Sequence, residues 1–298
     1  MYLPYFRGKQ FELIAIRELS EYIPNVIFRP IIEPVRKNLS PLLNTITSLN
    51  NADISPIIII NPSVGELQNS FLELLEKLSD YEFLPCIVVT GGNIDHASEI
   101  VRHINRPFAV QITGGISNDA IHFSRDAEVT IVDYDTSDAV INQLMNVVLY
   151  GDFFKKKRRN ADYPSESSFS HLHTTSKSKR NVLGFSDHTV IPREYSEAGG
   201  PAYVVTIHLS YIDIDRFDEL YVKHYSSADS GSPTDPAGKF IEALDKAMHD
   251  YNKGIFFNSS GITELKMLHN NTHYAGLGLV KKLSIKHHVE TVCHYISG

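Results

Sequence analysis

Residues 84–134 read LPCIVVTGGNIDHASEIVRHINRPFAVQITGGISNDAIHFSRDAEVTIVDY. Three short runs rich in aliphatic residues, at 84–91, 107–114 and 128–134, alternate with segments of helical period at 95–103 and 118–125. Apolar strands separated by helices are typical of a parallel sheet that helices cover on both faces. This stretch therefore predicts an α/β fold.

The same alternation extends along most of the 298 residues. It predicts further strands at 26–34, 56–62, 181–188, 202–211 and 219–226, and further helices at 9–22, 65–78, 136–148 and 236–251. Eight strands with helices between them and after the last match one (β/α)8 barrel domain over residues 1–298, which the basic helix at 276–288 would close. An open doubly wound sheet is the alternative, although such sheets usually have fewer strands.

Composition places the chain among ordinary globular proteins. With 42% hydrophobic and 21% charged residues, it is unlike disordered, collagen-like or coiled-coil proteins. Its apolar runs are shorter than the roughly 18 residues of a membrane span, and its first ten residues lack the apolar centre of a signal peptide. Two cysteines, Cys86 and Cys293, make neither a disulfide framework nor a cysteine metal cluster. We expect a cytoplasmic protein that binds no membrane.

The charge is unevenly distributed along the chain. Residues 151–180 hold eight Lys and Arg against three Asp and Glu, whereas the whole chain has a net charge of −7. The segment is rich in serine and has no hydrophobic period, so we interpret it as a long loop or insertion after the helix that follows the fifth strand. It is either a solvated surface loop or a docking site, and nucleic acid would bind only through this local basic patch.

Ionisable residues lie where the predicted strands end, which is where barrels of this kind carry their chemistry. Glu33, Asp187, His208 and His224 are the candidate catalytic residues. Asp187, His208 and His224 would suit a divalent metal ion that takes nitrogen and oxygen ligands, and all four would suit acid–base catalysis near neutral pH. A hydrogen-bonded structural role is the alternative for each histidine.

Glu33 follows an apolar strand, where an unpaired buried carboxylate would cost several kcal/mol. It is therefore either paired with a base, of which Arg7, Arg29 and Lys9 are the candidates, or catalytic. Arg7 and Lys9 open the first helix, near the end of the barrel that carries the chemistry. They would also neutralise an anionic substrate there.

Two glycine pairs follow the third and fourth predicted strands: Gly91 with Gly92, and Gly114 with Gly115. Glycines at such positions let backbone N–H groups approach a phosphate or carboxylate, and we include all four among the candidate anion-binding residues. The requirements of a tight turn explain these pairs equally well, and their spacing is not that of a P-loop.

Several short motifs are distributed over the whole chain. They are Y-x-P-x-x-R-G-K-Q-x-E at 2–12, P-x-x-E-P at 30–34, RNADY at 159–163, GFSD at 184–187, IHL at 207–209, KHYS at 223–226 and GLGxxKKLS at 276–284. Taken together, they resemble the phage beta protein family and its uncharacterised bacterial relatives. The chain departs from the phage-type pattern at Arg7, where a lysine is common, and this keeps the positive charge.

The resemblance implies an accessory gene of a phage-defence or mobile-element system, with a small nuclease-like protein as partner. Because RNADY lies in the basic segment, the resemblance also implies that this segment is an interface. The candidate interface residues are Lys155, Lys156, Arg158, Arg159, Asn160 and Tyr163.

Two functional hypotheses follow. The first is a barrel enzyme, of which a metal-dependent hydrolase or lyase is one form, acting on a phosphate- or carboxylate-bearing small molecule such as a nucleotide. The second is a non-catalytic binding or sensor subunit that pairs with the nuclease-like partner. A pocket shared by Glu33, Asp187, His208 and His224 would favour the enzyme. A Glu33 locked to an arginine, with the histidines in separate packing niches, would favour the binding subunit.

Overall fold

The computed structural model describes residues 1–197 and 202–298. The chain divides into two compact units, where the sequence predicted one domain. The first, which we call the barrel unit, comprises Met1–Gly151 and Leu172–His188, and the second unit comprises Asp152–His171 and Thr189–Gly298. Each unit is therefore discontinuous in sequence.

Short strands and helices alternate through the first two thirds of the chain, and longer helices follow. The strands are β1 (Tyr5–Phe6), β2 (Ile31–Ile32), β3 (Ile57–Ile59), β4 (Leu84–Val89), β5 (Ala109–Ile112), β6 (Val129–Asp133), β7 (Val147–Gly151), β8 (Glu166–Ser170), β9 (Val182–Asp187), β10 (Thr206–Asp213) and β11 (Glu219–Ser226). The helices are α1 (Gln10–Ser20), α2 (Ser40–Asn51), α3 (Phe71–Lys77), α4 (Ile94–Val101), α5 (Asn118–Phe123), α6 (Asp138–Ile141), α7 (Leu172–Thr175), α8 (Pro236–Tyr251), α9 (Ser260–Asn270) and α10 (Leu277–Ser297).

The barrel unit is built on an eight-stranded parallel sheet in the order β1-β2-β3-β4-β5-β6-β7-β9. The sheet is nearly closed, because Tyr2 forms parallel bridges to both Phe28 and Phe185. The Leu3 N–H also donates to the Phe185 carbonyl at 2.8 Å. A glycine is required beside this seam, since a Cβ on Gly184 would collide with the carbonyl oxygen of residue 1. The predicted α/β fold with a barrel-like parallel sheet is confirmed.

Two of the eight predicted barrel strands are assigned wrongly. β10 and β11 pair with each other in antiparallel fashion and form a separate three-stranded sheet, in the order β10-β11-β8. The connection at 214–218 is too short for the crossover of a dozen or more residues that parallel strands need, so a hairpin forms instead. Their places in the barrel are taken by β1 and β7, which the sequence analysis did not predict.

The second unit packs α8, α9 and α10 with the β10-β11-β8 sheet. Its core contains Leu209, Phe240, Leu244, Ile262 and Leu283, each fully buried. Residues 282–293 of α10 are all buried, polar side chains included. The helix predicted to close the barrel at 276–288 is therefore part of α10, in the second unit.

His287 holds α10 in place through both ring nitrogens. Its Nε2 donates to the Ser210 carbonyl at 2.7 Å, and its Nδ1 accepts from the Ser259 hydroxyl at 2.8 Å. Burial is the main cause that lowers the pKa of His287 from 6.5 to about 3, while the hydrogen bond to Ser210 opposes this shift and neighbouring His288 adds to it. The ring is therefore neutral in the folded protein near neutral pH.

Acidification is expected to destabilise the protein through His287. The unfolded chain takes up the proton below about pH 6.5, whereas the folded chain resists protonation down to about pH 3. Stability is thus retained above pH 6.5 and falls as the pH falls, by roughly 2 kcal/mol between pH 7 and pH 5 from this group. Urea unfolding at both pH values should show a smaller difference for His287→Gln, while the exposed His122→Gln should match the wild type. An unchanged pH dependence in His287→Gln would contradict this assignment.

The basic segment is more ordered than the predicted loop. Residues 166–170 form β8, which pairs with β11, and residues 172–175 form α7. Four of the five residues of β8 are polar, and burial increases from half-buried at 166–168 to buried at 169–170, so this short run has no hydrophobic period to recognise. Among the described residues, no helix is both long and apolar enough to cross a membrane.

Candidate functional site

The carboxyl ends of the barrel strands hold a buried polar cluster, which we call the mouth cluster. It consists of Tyr5 and Arg7 at the end of β1, Glu33 after β2, Tyr150 in β7 and His188 after β9. Side chains alternate in direction along a strand, so residues two positions apart, such as Tyr5 and Arg7, lie on the same face, which here points into the barrel. Ile31, Ile59, Ile131 and similar residues of the barrel core form the apolar floor below the cluster.

Glu33 is fully engaged within the mouth cluster. Its Oε2 forms an ion pair with the Arg7 guanidinium and accepts a hydrogen bond from the Tyr5 hydroxyl at 2.7 Å. Its Oε1 accepts from the backbone N–H of Ser63 at 2.8 Å and from the Ser63 hydroxyl at 3.0 Å. Glu33 is only 1% exposed, and these donors are what make a buried carboxylate tolerable. Of the three bases considered from sequence, Arg7 is the observed partner.

His188 and Tyr150 form the other half of the mouth cluster. The Tyr150 hydroxyl and His188 Nε2 are joined by a 2.5 Å hydrogen bond, and both side chains are buried. The Tyr5 ring lies 4.6 Å from the His188 ring and 5.5 Å from the Tyr150 ring, between centroids. Tyr5 thereby connects the His188–Tyr150 pair to Glu33. An imidazole and a phenol in contact can pass a proton to or from a bound molecule.

Two further polar groups face the barrel interior. Gln111 lies two residues after the core residue Ala109, and Ser186 lies two residues before His188, so alternation points both inward. Gln111 Oε1 and Ser186 Oγ are buried, and within the part of the chain that the structure describes they meet no hydrogen-bond partner. An unsatisfied buried polar group costs about 1–3 kcal/mol, so a polar molecule bound here would be stabilised.

Asp187 points the other way from His188. Its Oδ1 accepts from the Tyr2 hydroxyl at 2.7 Å, and the Tyr2 ring stacks on Phe185 at 5.1 Å. Consecutive residues of a strand face opposite sides, so His188, and not the predicted Asp187, shares the interior with Glu33.

His208 and His224 lie opposite each other on β10 and β11, in the second unit. Their Nδ1 atoms are 2.7 Å apart, and His224 Nε2 is 2.8 Å from the Ser167 hydroxyl. The Tyr163 ring lies 4.8 Å from each histidine ring, and the Phe154 ring 4.9 Å from His208. The sequence correctly placed the two histidines on neighbouring strands.

Both histidines are neutral near pH 7. Burial is the main cause that lowers the pKa of His208 well below its ordinary value, and the charges of His224 and Lys281 add to it. Burial, with the charge of Lys157, lowers the pKa of His224 to about 4.

The predicted environment of these histidines requires correction. They lie within an antiparallel hairpin and not at the ends of barrel strands, because β10 and β11 pair with each other in a separate sheet. Asp187 belongs to the barrel unit, while His208 and His224 belong to the second unit. In the described ranges, no group of three or more His, Cys, Asp or Glu side chains gathers to hold a metal ion. A metal ion shared by the three residues stays a prediction.

The candidate anion-binding residues lie at the same end of the barrel as the mouth cluster. Gly91 and Gly92 follow β4, and Gly114 and Gly115 follow β5. All four are exposed, and apart from the adjacent residues of the chain no described atom lies within 4 Å of where a Cβ would be. Gly114 and Gly115 have φ angles of +73° and +102°, which turn chemistry alone explains. Lys9 is half-buried and directly precedes α1. Anion binding by these residues stays a prediction.

Two of the predicted interface cations are paired within the second unit. The Lys156 ammonium lies 2.8 Å from Glu194, and the Arg159 guanidinium lies 2.6 Å from Asp162. Both pairs are largely exposed, so they weaken the basic character of the segment while adding little stability.

The other predicted interface residues divide into anchors and exposed cations. Asn160 donates to the Val204 carbonyl at 2.8 Å, and Tyr163 packs on the histidine pair, so both hold the segment to the sheet. Lys155 and Arg158 are exposed to solvent. These two remain the best candidates for contact with a partner.

Comparison of the chain with known protein families and with curated proteins finds no match. The functional assignment therefore depends on the residues and their geometry.

Sequence reasoning missed His188, Tyr150, Tyr5, Ser63 and Ser167. The alternation of side chains along 181–188 contained the signal for His188. The face that points into the barrel carries Gly184, Ser186 and His188, and Asp187 lies on the opposite face. Tyr150 was hidden because β7 directly follows a stretch of helical period. Ser63 and Ser167 carry no signal in one sequence, since serine is common in loops and edge strands.

Proposed function

We propose that the protein is an enzyme that uses the mouth cluster for acid–base chemistry on a small phosphate- or carboxylate-bearing molecule. The observation that carries the proposal is the His188–Tyr150 hydrogen bond beside the Arg7–Glu33 pair, at the end of the barrel where such folds hold their substrates. The same fold supports many functions, so the proposal depends on these side chains and not on the fold.

Each member of the cluster has a distinct role in this proposal. His188 exchanges a proton with the substrate, and Tyr150 holds the imidazole in place and completes the proton path. Glu33 is a positioning residue, which fixes Tyr5 against the imidazole through its hydroxyl. Gln111 Oε1 and Ser186 Oγ supply polar contacts for the bound molecule.

Charge at the mouth supports an anionic substrate. The Arg7 charge is balanced by Glu33, so Lys9 and the exposed backbone after β4 and β5 would provide the remaining attraction. In this proposal the proton transfers are made by the side chains of the mouth cluster, and the predicted divalent metal ion is not part of it.

Ligand binding tests this proposal before a substrate is known. We would titrate the protein with phosphate, citrate and nucleoside mono- and diphosphates, and follow binding by calorimetry. We expect at least one of them to bind, and His188→Gln to weaken that binding about 10-fold or more, which is the loss of one hydrogen bond to a charged group. Tyr150→Phe should weaken it less, because the imidazole remains.

The exposed His122→Gln is the matched control and should bind like the wild type. Thermal unfolding of each variant distinguishes a lost contact from a lost fold. Failure of every ligand to bind, or equal binding by His188→Gln and the wild type, would contradict the enzyme and favour the second hypothesis.

The second hypothesis is a binding or sensor subunit, and one observation favours it. Glu33 is locked to Arg7, as a structural carboxylate would be, although the histidines share one niche. In this role the exposed Lys155 and Arg158 would contact the nuclease-like partner that the resemblance implies. The phage-defence setting belongs to the same proposal, and co-purification with the protein of the adjacent gene tests it.

A further inference from the structure

Three side chains of the second unit form a hydrogen-bonded row that the mouth cluster does not use. The Ser167 hydroxyl contacts His224 Nε2 at 2.8 Å, and His224 Nδ1 contacts His208 Nδ1 at 2.7 Å. The three residues come from β8, β11 and β10, which are neighbours in one sheet. Rigid strands therefore hold the row.

The order of atoms in this row is that of a nucleophile, a base and an orienting group. When His224 carries its proton on Nδ1, it donates to His208 Nδ1, and its Nε2 is left to accept the Ser167 proton. This is the arrangement in which a serine hydroxyl becomes a nucleophile, with the second histidine in the place where triads commonly have a carboxylate.

We propose that Ser167, His224 and His208 form a second catalytic site, for acyl transfer from a carboxylic ester. Ser167 is the nucleophile, His224 is the general base and acid, and His208 is a positioning residue that fixes the tautomer of His224.

The reaction balances with water as the only co-reactant. Ser167 Oγ bonds to the ester carbonyl carbon while its proton moves to His224 Nε2. The C–O bond to the alcohol then breaks, and His224 returns the proton to the departing oxygen. Water repeats the sequence on the acyl-serine, so that an ester and water give an acid and an alcohol.

Two features distinguish this row from the other serine–histidine contacts of the unit. His287 and His288 are fully buried and meet serine hydroxyls through Nδ1. Ser167 and His208 are half-buried, within reach of a small molecule, and the serine contact uses Nε2.

The surroundings indicate the class of ester. Rings of Phe154 and Tyr163 pack against the histidines, so an apolar or aromatic acyl group would be favoured beside them. The positive charge of Lys157 acts on His224, and such a charge beside the row favours the negative oxygen that forms at the carbonyl.

An activity-based probe for nucleophilic serines tests the proposal without a known substrate. The full chain would be treated with a fluorophosphonate near pH 7.5, and the adduct counted by intact mass and located by peptide mapping. We expect one adduct per chain, on Ser167, and slow turnover of p-nitrophenyl butyrate. No adduct on Ser167, or the same rate in Ser167→Ala, would overturn the proposal.

Variants separate the catalytic roles from structural ones. His224→Gln should slow labelling about 100-fold, in line with the loss of a general base, and His208→Asn should slow it less. Ser226→Ala is the matched control. Ser226 lies on β11, as His224 does, but its hydroxyl contacts the Thr206 hydroxyl and the Asn160 carbonyl and no histidine of the described ranges. Equal labelling of His224→Gln and wild type, at matched thermal stability, would also overturn the proposal.

The pH profile tests the positioning role of His208. The groups that act on the pair are Lys157 and Lys281, which disfavour protonation, and Glu166, which favours it. Labelling of the wild type should rise with pH around pH 4 and be level near neutrality. His208→Asp should move the midpoint up by about 1 unit or more, because a carboxylate stabilises the imidazolium. An unmoved midpoint would contradict the positioning role.

Discussion

Arg7→Ala is expected to lower the free energy of unfolding by about 3–5 kcal/mol, the cost of leaving a buried charge without its partner. Glu33 is 1% exposed and the Arg7 side chain 11% exposed, so little water can replace the guanidinium. The Tyr5 and Ser63 donors remain, but they do not balance the negative charge. Urea unfolding at pH 7 measures the change.

A surface pair provides the matched control for this variant. Arg36 and Glu66 are 3.3 Å apart, but both side chains are more than 40% exposed. Arg36→Ala should therefore cost no more than about 1 kcal/mol. Replacing both Arg7 and Glu33 by methionine should recover much of the loss, because no charge is then left buried. If Arg7→Ala and Arg36→Ala lowered the free energy of unfolding equally, the Arg7–Glu33 pair would not be desolvated.

Gly261→Ala is the second large effect, and we expect it to cost about 3 kcal/mol. A Cβ at this position would lie 2.5 Å from the Leu283 carbonyl oxygen and 2.8 Å from the His287 amide nitrogen. Both atoms are backbone of α10, so no rotamer change can relieve the contact. α9 would have to move away from α10, and the bonds from the start of α9 to Glu290 would be strained.

Gly92→Ala is the control for this substitution. Apart from the adjacent residues, a Cβ there would meet no described atom within 4 Å, and the backbone has no positive φ, so stability should change by less than about 0.5 kcal/mol. Circular dichroism with urea titration compares the two variants. A cost below about 1 kcal/mol for Gly261→Ala would mean that the two helices are less tightly packed than the structure shows.

The alternation of apolar strands with helical segments predicted the α/β class and the barrel-like sheet. Consecutive strands that are joined by helices pair in parallel, so the sheet follows from the order of the elements. Strands β3 to β6 were placed within a few residues, since each is a short run rich in aliphatic residues between turn signals, and β9 lies within the predicted strand at 181–188. β1 has two residues and gives no such run. β10 and β11 have the residue composition of barrel strands because they are partly buried. Composition does not show whether a strand pairs in parallel or antiparallel fashion.

The candidate site was predicted in part, for the same reasons. Glu33 and Arg7 were identified because a charge after an apolar strand needs a partner. The sequence placed His208 and His224 on neighbouring strands, which is correct, although those strands run antiparallel and were predicted to be parallel; their direct contact was not predicted. The choice between Asp187 and His188 depended on which residues of β9 point into the barrel. A shift of one residue in the pairing of the strand exchanges the two faces, and a single sequence does not give that pairing.

The seam of the barrel joins parts of the chain that are made at very different times. Tyr2 bonds to Asp187, a residue 185 positions later. At roughly 5–20 residues per second of synthesis, the first segment waits on the order of 10–40 s for that partner. Meanwhile the edge strand offers unpaired backbone groups to any other chain. Slow translation or excess expression should therefore favour aggregation, and help from a chaperone should matter most before residue 188 has been made.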